Sequence, residues 1–86
     1  PYGYSDLTAI GAIAKDPRAL NAVNQIIGGD LADIAHVAIE FGPDTPFGNV
    51  WNGNAMQKFF TDNGITKEQS DEMRAQLQEE FDKIEI

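Results

Sequence analysis

Apolar residues recur along the chain at helical spacing, separated by short polar, glycine- or proline-containing stretches. From Asp6 to Ala14, the residues Leu7, Ile10, Ile13 and Ala14 fall on one side of a helix, and Ser5 is placed to cap it. Asp16 precedes Pro17, and a residue before proline avoids the α region, so this helix stops there. Asp16 then caps a second helix with Pro17 at its first position. Its apolar face is Ala19, Leu20, Val23, Ile26 and Ile27, opposed by Arg18, Asn21, Asn24 and Gln25, the cleanest amphipathic pattern in the chain. Gly28 and Gly29 end it. Asp30 opens a third predicted helix with an apolar arc of Leu31, Ile34, Ala35, Ala38 and Phe41, stopped by Gly42-Pro43. A fourth covers Asn54–Asp62, with Met56, Phe59 and Phe60 inward, and closes at Asn63-Gly64. Thr66 and Gln69 form the capping box of a long fifth helix running to about Ile84. The pattern predicts an all-α fold: one small domain over residues 1–86, of about five helices. One- or two-residue connections turn corners more readily than they reverse direction, so the helices are expected to pack at angles. No internal repeat is apparent.

Two stretches depart from this regularity. Phe41 to Asn54, FGPDTPFGNVWNGN, is a long aromatic, Pro/Gly-rich loop between the third and fourth predicted helices. A loop of this length in a small domain is usually functional or tied down by its own side chains. Thr45-Pro46 can cap a single helical turn that sets Phe47 and Trp51 on one side. Phe47, Val50 and Trp51 then either plug the core or present an exposed anchor, to which Tyr2 and Tyr4 of the N-terminal arm add two aromatics. The last helix has a stripe of only Met73, Leu77, Phe81 and Ile84, about 80° wide. Its other positions are mostly charged, with Glu68, Asp71, Glu72, Glu79, Glu80, Asp82 and Glu85 among them. Such a seam either docks on the other helices or meets a partner. The partner-binding candidates are therefore Tyr2, Tyr4, Phe47, Trp51, Met73, Leu77, Phe81 and Ile84.

Composition narrows the function classes. A chain of 86 residues buries only about 60% of its unfolded surface, and with no cysteine it has no disulfide or thiolate metal site to reinforce it. The lack of cysteine is compatible with a reducing compartment. Fourteen acidic residues against six basic ones give a net charge of −8. That field repels phosphate backbones, so direct nucleic-acid binding is not expected, while a basic partner surface is favoured. No apolar run is long enough for a membrane span, and no signal-peptide pattern is visible.

Chemistry-bearing patterns are sparse. Asp33, His36 and Glu40 share one face of the third predicted helix, but that face opposes its apolar arc and has no second histidine or cysteine to complete a metal site. Ser5 reads as a cap and Ser70 lies within the last helix, with no nucleophile-elbow pattern around either. Gly28-Gly29 is followed by Asp30, whose charge opposes a phosphate. Pro1 as a free secondary amine would resemble the base of tautomerases, which place it at the start of a β-strand; here it leads into a turn and a helix cap. The segment Leu77-Gln78-Glu79-Glu80-Phe81-Asp82-Lys83-Ile84-Glu85-Ile86 resembles the acidic closing phrase of acyl carrier proteins. That likeness implies a phosphopantetheine serine in an Asp-Ser-Leu motif, whereas Asp30-Leu31 lacks the serine and Ser5-Asp6-Leu7 has another order. The reading is thus a non-catalytic interaction or structural subunit of a larger assembly, without a metal or cofactor, whose partners are other protein chains. Two alternatives are an acidic inhibitor covering a basic surface and a small enzyme or carrier-like protein.

Overall fold

A computed structural model describes residues 3–28 and 42–85. They form five helices: α1 (Ile10–Lys15), α2 (Pro17–Ile27), α3 (Phe47–Trp51), α4 (Asn54–Asp62) and α5 (Lys67–Asp82). The fold is all-α, and the one β-type contact among the described residues is a bridge between Ala9 and Pro46. The third predicted helix, with Asp33, His36 and Glu40, lies outside the described residues, as does Tyr2.

The caps behave as their chemistry requires. The Asp16 carboxylate accepts the Arg18 amide at 2.9 Å, Pro17 occupies the first turn, and Gly28 ends α2 in the left-handed region at φ 74°. Thr66 and Gln69 form the reciprocal capping box of α5, at 3.1 and 2.9 Å. The long loop is shorter than its composition suggests, because Phe47–Trp51 is a helical turn entered through Pro46.

The first helix is a correction. It starts at Ile10, not Asp6, and its N-cap is Ala9. Residues 5–8 instead form a turn in which the Ser5 carbonyl accepts the Thr8 amide at 3.1 Å and the Ser5 hydroxyl accepts the Leu7 amide at 3.1 Å. Leu7 is consequently 88% exposed rather than on a buried face. The physical reason lies across the molecule. The amides of Ile10 and Gly11 donate to the carbonyls of Thr45 and Pro43, at 2.8 and 2.9 Å. In return the amides of Phe47 and Gly48 donate to the carbonyls of Thr8 and Asp6, at 2.8 and 3.0 Å. Donors that a longer helix would have satisfied internally are satisfied by the other half of the chain.

This clasp is reciprocal, and it belongs to a structural repeat that sequence reading misses. Thr8, Ala9, Ile10 and Gly11 correspond at one constant offset to Thr45, Pro46, Phe47 and Gly48. The correspondence extends outward. Thr8 N–H bonds to the Ser5 carbonyl as Thr45 N–H bonds to that of Gly42, and Leu20 N–H to Asp16 as Gln57 N–H to Gly53. Helices α1 and α3, and then α2 and α4, begin at matched positions. Ile10, Ile13 and Val23 are buried, and so are their counterparts Phe47, Val50 and Phe60. Each unit ends in a left-handed glycine, Gly28 or Gly64, the second coming one residue early in the register. The shared side chains are few, chiefly Thr-x-x-Gly around a large apolar residue, so the repeat is carried by backbone geometry.

The two units share one core. It comprises Tyr4, Ile10, Ile13, Ala19, Ala22, Val23, Ile27, Phe47, Val50, Trp51, Phe60, Leu77, Phe81 and Ile84. Helix α2 packs on α1 and α5, and α3 packs on α4. A continuous series of rings runs through it: Tyr4–Phe81 at 5.8 Å, Phe81–Phe47 at 5.7 Å, Phe47–Trp51 at 5.9 Å and Trp51–Phe60 at 5.2 Å. Such tilted and edge-on contacts add to the area that aromatics bury.

Candidate functional site

The aromatic and apolar residues singled out from the sequence are brought together, but inside the molecule. Tyr4, Phe47, Trp51, Leu77, Phe81 and Ile84 are all buried, Trp51 at 4% exposure, and Met73 packs half-buried against them. Phe47 and Trp51 are the plug of the core, the first of the two readings the loop allowed. The narrow stripe of α5 likewise docks on the chain's own helices. None of these side chains stands free as an anchor in this structure.

Polar side chains tie the N-terminal arm to the start of α2, and α2 to the residues that follow α5. The Tyr4 hydroxyl donates to Asp16 Oδ2 at 2.7 Å, and the Arg18 guanidinium donates to both Asp16 oxygens at 3.2 and 3.0 Å. Arg18 also reaches the Glu85 carbonyl at 3.3 Å. The Arg18 hydrogen bond, followed by that from Tyr4, holds the Asp16 carboxyl far below the usual carboxylate range. The same bond to Asp16, together with burial, pushes the Tyr4 phenol up. Tyr4, Asp16 and Arg18 thus form a charged cap on the core; the sequence marks Asp16 only as the N-cap of α2.

Arg74 is a second strut. Its guanidinium donates to Asp6 Oδ1 at 2.9 and 2.7 Å and to Gln78 Oε1 at 3.0 Å. It also lies over the rings of Phe47 and Phe81, 5.0 and 5.7 Å from their centroids. Its Nη1 is buried with no hydrogen-bond partner among the described residues. Gln78 in turn donates to the Tyr4 carbonyl at 2.8 Å. Helix α5 therefore grips the turn of the first unit and the aromatic centre of the second through one cation.

The far side of α5 faces outward. Glu68, Glu72, Ala75, Glu79 and Asp82 recur at helical spacing opposite Leu77, and all five are exposed. Lys67 pairs with Asp71 at 3.3 Å and Lys83 with Glu80 at 3.3 Å. Glu68, Glu72 and Glu79 have no ion-pair partner among the described residues. An open groove of about 250 Å³ lies between α2 and α5, floored by Ala22 and Ile84 and edged by Arg18, Asn21, Glu80 and Lys83.

Among the described residues, no group of three histidine, cysteine, aspartate or glutamate side chains is placed to hold a metal ion. The Asp33, His36 and Glu40 set lies outside them. No described helix is long and apolar enough to cross a membrane. Comparison with protein families, with curated proteins and with solved structures finds no match to this chain.

Proposed function

We propose that this chain is a non-catalytic protein-interaction domain or structural subunit that meets its partner through the outer face of α5. The observation that carries the reading is the run of unpaired carboxylates Glu68, Glu72 and Glu79 on the side of α5 away from the core. Glu68 and Glu72 lie one helical turn apart, where like charges repel, and Glu79 continues the same face two turns on, so the face suits a cationic surface better than solvent. Among the described residues the candidate aromatic anchors are committed to the core, whereas this acidic face is exposed. The partner it suits is a protein with a basic patch, reached by electrostatic steering.

The test compares the chain with its Glu68→Lys/Glu72→Lys/Glu79→Lys form, first shown to keep its helical content. A binding partner isolated on the unaltered protein should lose affinity roughly tenfold or more on charge reversal and should be released by added salt. Binding unaffected by both would remove this face from the function. An inhibitor of a nucleic-acid-binding surface is the second reading that the same carboxylates favour. It is recognised by DNA or RNA competing with the chain for that partner.

A further inference from the structure

We propose that Asn63 is a site of spontaneous covalent modification, at which the Gly64 amide displaces ammonia and leaves aspartate or isoaspartate. The chain has two Asn-Gly pairs, Asn52-Gly53 and Asn63-Gly64. A glycine after asparagine has no side chain to keep its nitrogen from the asparagine Cγ. In the reaction the Gly64 nitrogen gives up its proton and bonds to Asn63 Cγ. The Cγ–Nδ2 bond breaks, and the side-chain nitrogen leaves as ammonia. Water then opens the cyclic imide at either carbonyl. One opening gives aspartate, the other isoaspartate, with the main chain running through Cγ.

At rest the fold holds the two pairs alike. Asn52 is the C-cap of α3 and Asn63 that of α4. Asn52 Nδ2 donates to the Gly48 carbonyl at 2.9 Å, and Asn63 Nδ2 to that of Phe59 at 2.8 Å. The Gly53 amide donates to the Val50 carbonyl and the Gly64 amide to that of Thr61, both at 3.1 Å. Amides so engaged do not attack, so the reaction starts from an opened helix end. The pairs differ in what opening disturbs. Thr61, Asp62, Asn63 and Gly64 are all exposed, so fraying the last turn of α4 gives up hydrogen bonds but uncovers none of their side chains. Opening at Asn52-Gly53 pulls on Val50 and Trp51, both buried in the core. It also pulls on the Gly53 carbonyl that accepts the Gln57 amide at the start of α4. The fold therefore selects Asn63. The new carboxylate lies beside Asp62 at the C-terminal end of α4, where the helix dipole disfavours negative charge. Isoaspartate also lengthens the main chain just before the capping box of α5.

The test holds the folded protein at mildly alkaline pH and follows both pairs by peptide mapping, beside the same chain unfolded in denaturant. In the unfolded chain both pairs should react at similar rates. In the folded protein the mass gain from exchanging NH2 for OH should appear at Asn63 roughly tenfold or more faster than at Asn52, with part of the product isoaspartate. A folded Asn63→Gln variant should lose that early mass gain. Asn52 reacting as fast as Asn63 in the folded protein would overturn the proposal. So would a folded protein unchanged over a time in which the unfolded chain reacts at both pairs.

Discussion

Ala9 and Pro46 face each other across a single antiparallel bridge, and each is the residue that immediately precedes a helix. The first-turn amides of a helix ordinarily turn to solvent or to a capping side chain. Neither Ala9 nor Pro46 caps its helix with a side chain. The two helices cap each other instead, through the main chain of the opposite unit. That mutual capping explains why a five-residue helix such as α3 exists at all, since isolated helices of that length do not persist in water.

The close approach of the units depends on Gly11 and Gly48. A Cβ on Gly11 would lie 2.8 Å from Pro43 Cβ and 2.9 Å from its carbonyl oxygen. A Cβ on Gly48 would lie 2.9 Å from Asp6 Cβ and 3.1 Å from its Cγ. Gly11→Ala should therefore cost about 1–3 kcal/mol of stability, as overpacking does. Gly48→Ala should cost a similar amount, because the nearest atom is the Asp6 Cβ, which side-chain rotation does not move, and Arg74 holds the Asp6 carboxylate in place. Denaturant titration measures both, and a Gly11→Ala protein as stable as the original would show that the units are not held this closely.

Acid should act on the protein through Asp16. Its carboxyl is held below the ordinary value by the Arg18 and Tyr4 hydrogen bonds, so the folded state binds fewer protons than the unfolded one. The stabilisation is complete above the unfolded carboxylate value of about 4 and is lost as pH falls from there toward the depressed folded value. Asp16→Asn should lower stability at neutral pH and flatten the loss of stability below pH about 4. Chemical denaturation of both proteins across that range checks the sign, and parallel curves would contradict it.

Much of this fold is legible in the residues. The caps at Asp16 and Thr66, the glycine stop at Gly28, the apolar face of α2 and the single helical turn at Phe47 are local signals, and the structure follows them. The start of α1 is not legible, because it is decided by carbonyls of Pro43 and Thr45, far along the chain. The repeat escapes for a related reason. Backbone hydrogen bonds need little side-chain identity, and Ile10 and Phe47, or Val23 and Phe60, fill equivalent core positions with different volumes. The candidate site was visible as a set of aromatics, but spacing alone could not separate an anchor from a core residue. Phe47 and Trp51 are settled only by what packs on them, namely Phe81 and Phe60.

Hydrogen exchange of the Phe47 and Gly48 amides tests the clasp most directly. They are the first two amides of a short helix and have no intrahelical partner, so without the clasp they exchange rapidly. The clasp predicts slow exchange at both, matching Ile10 and Gly11 and approaching the protection of the core. Rapid exchange at Phe47 and Gly48 in a folded protein would contradict it.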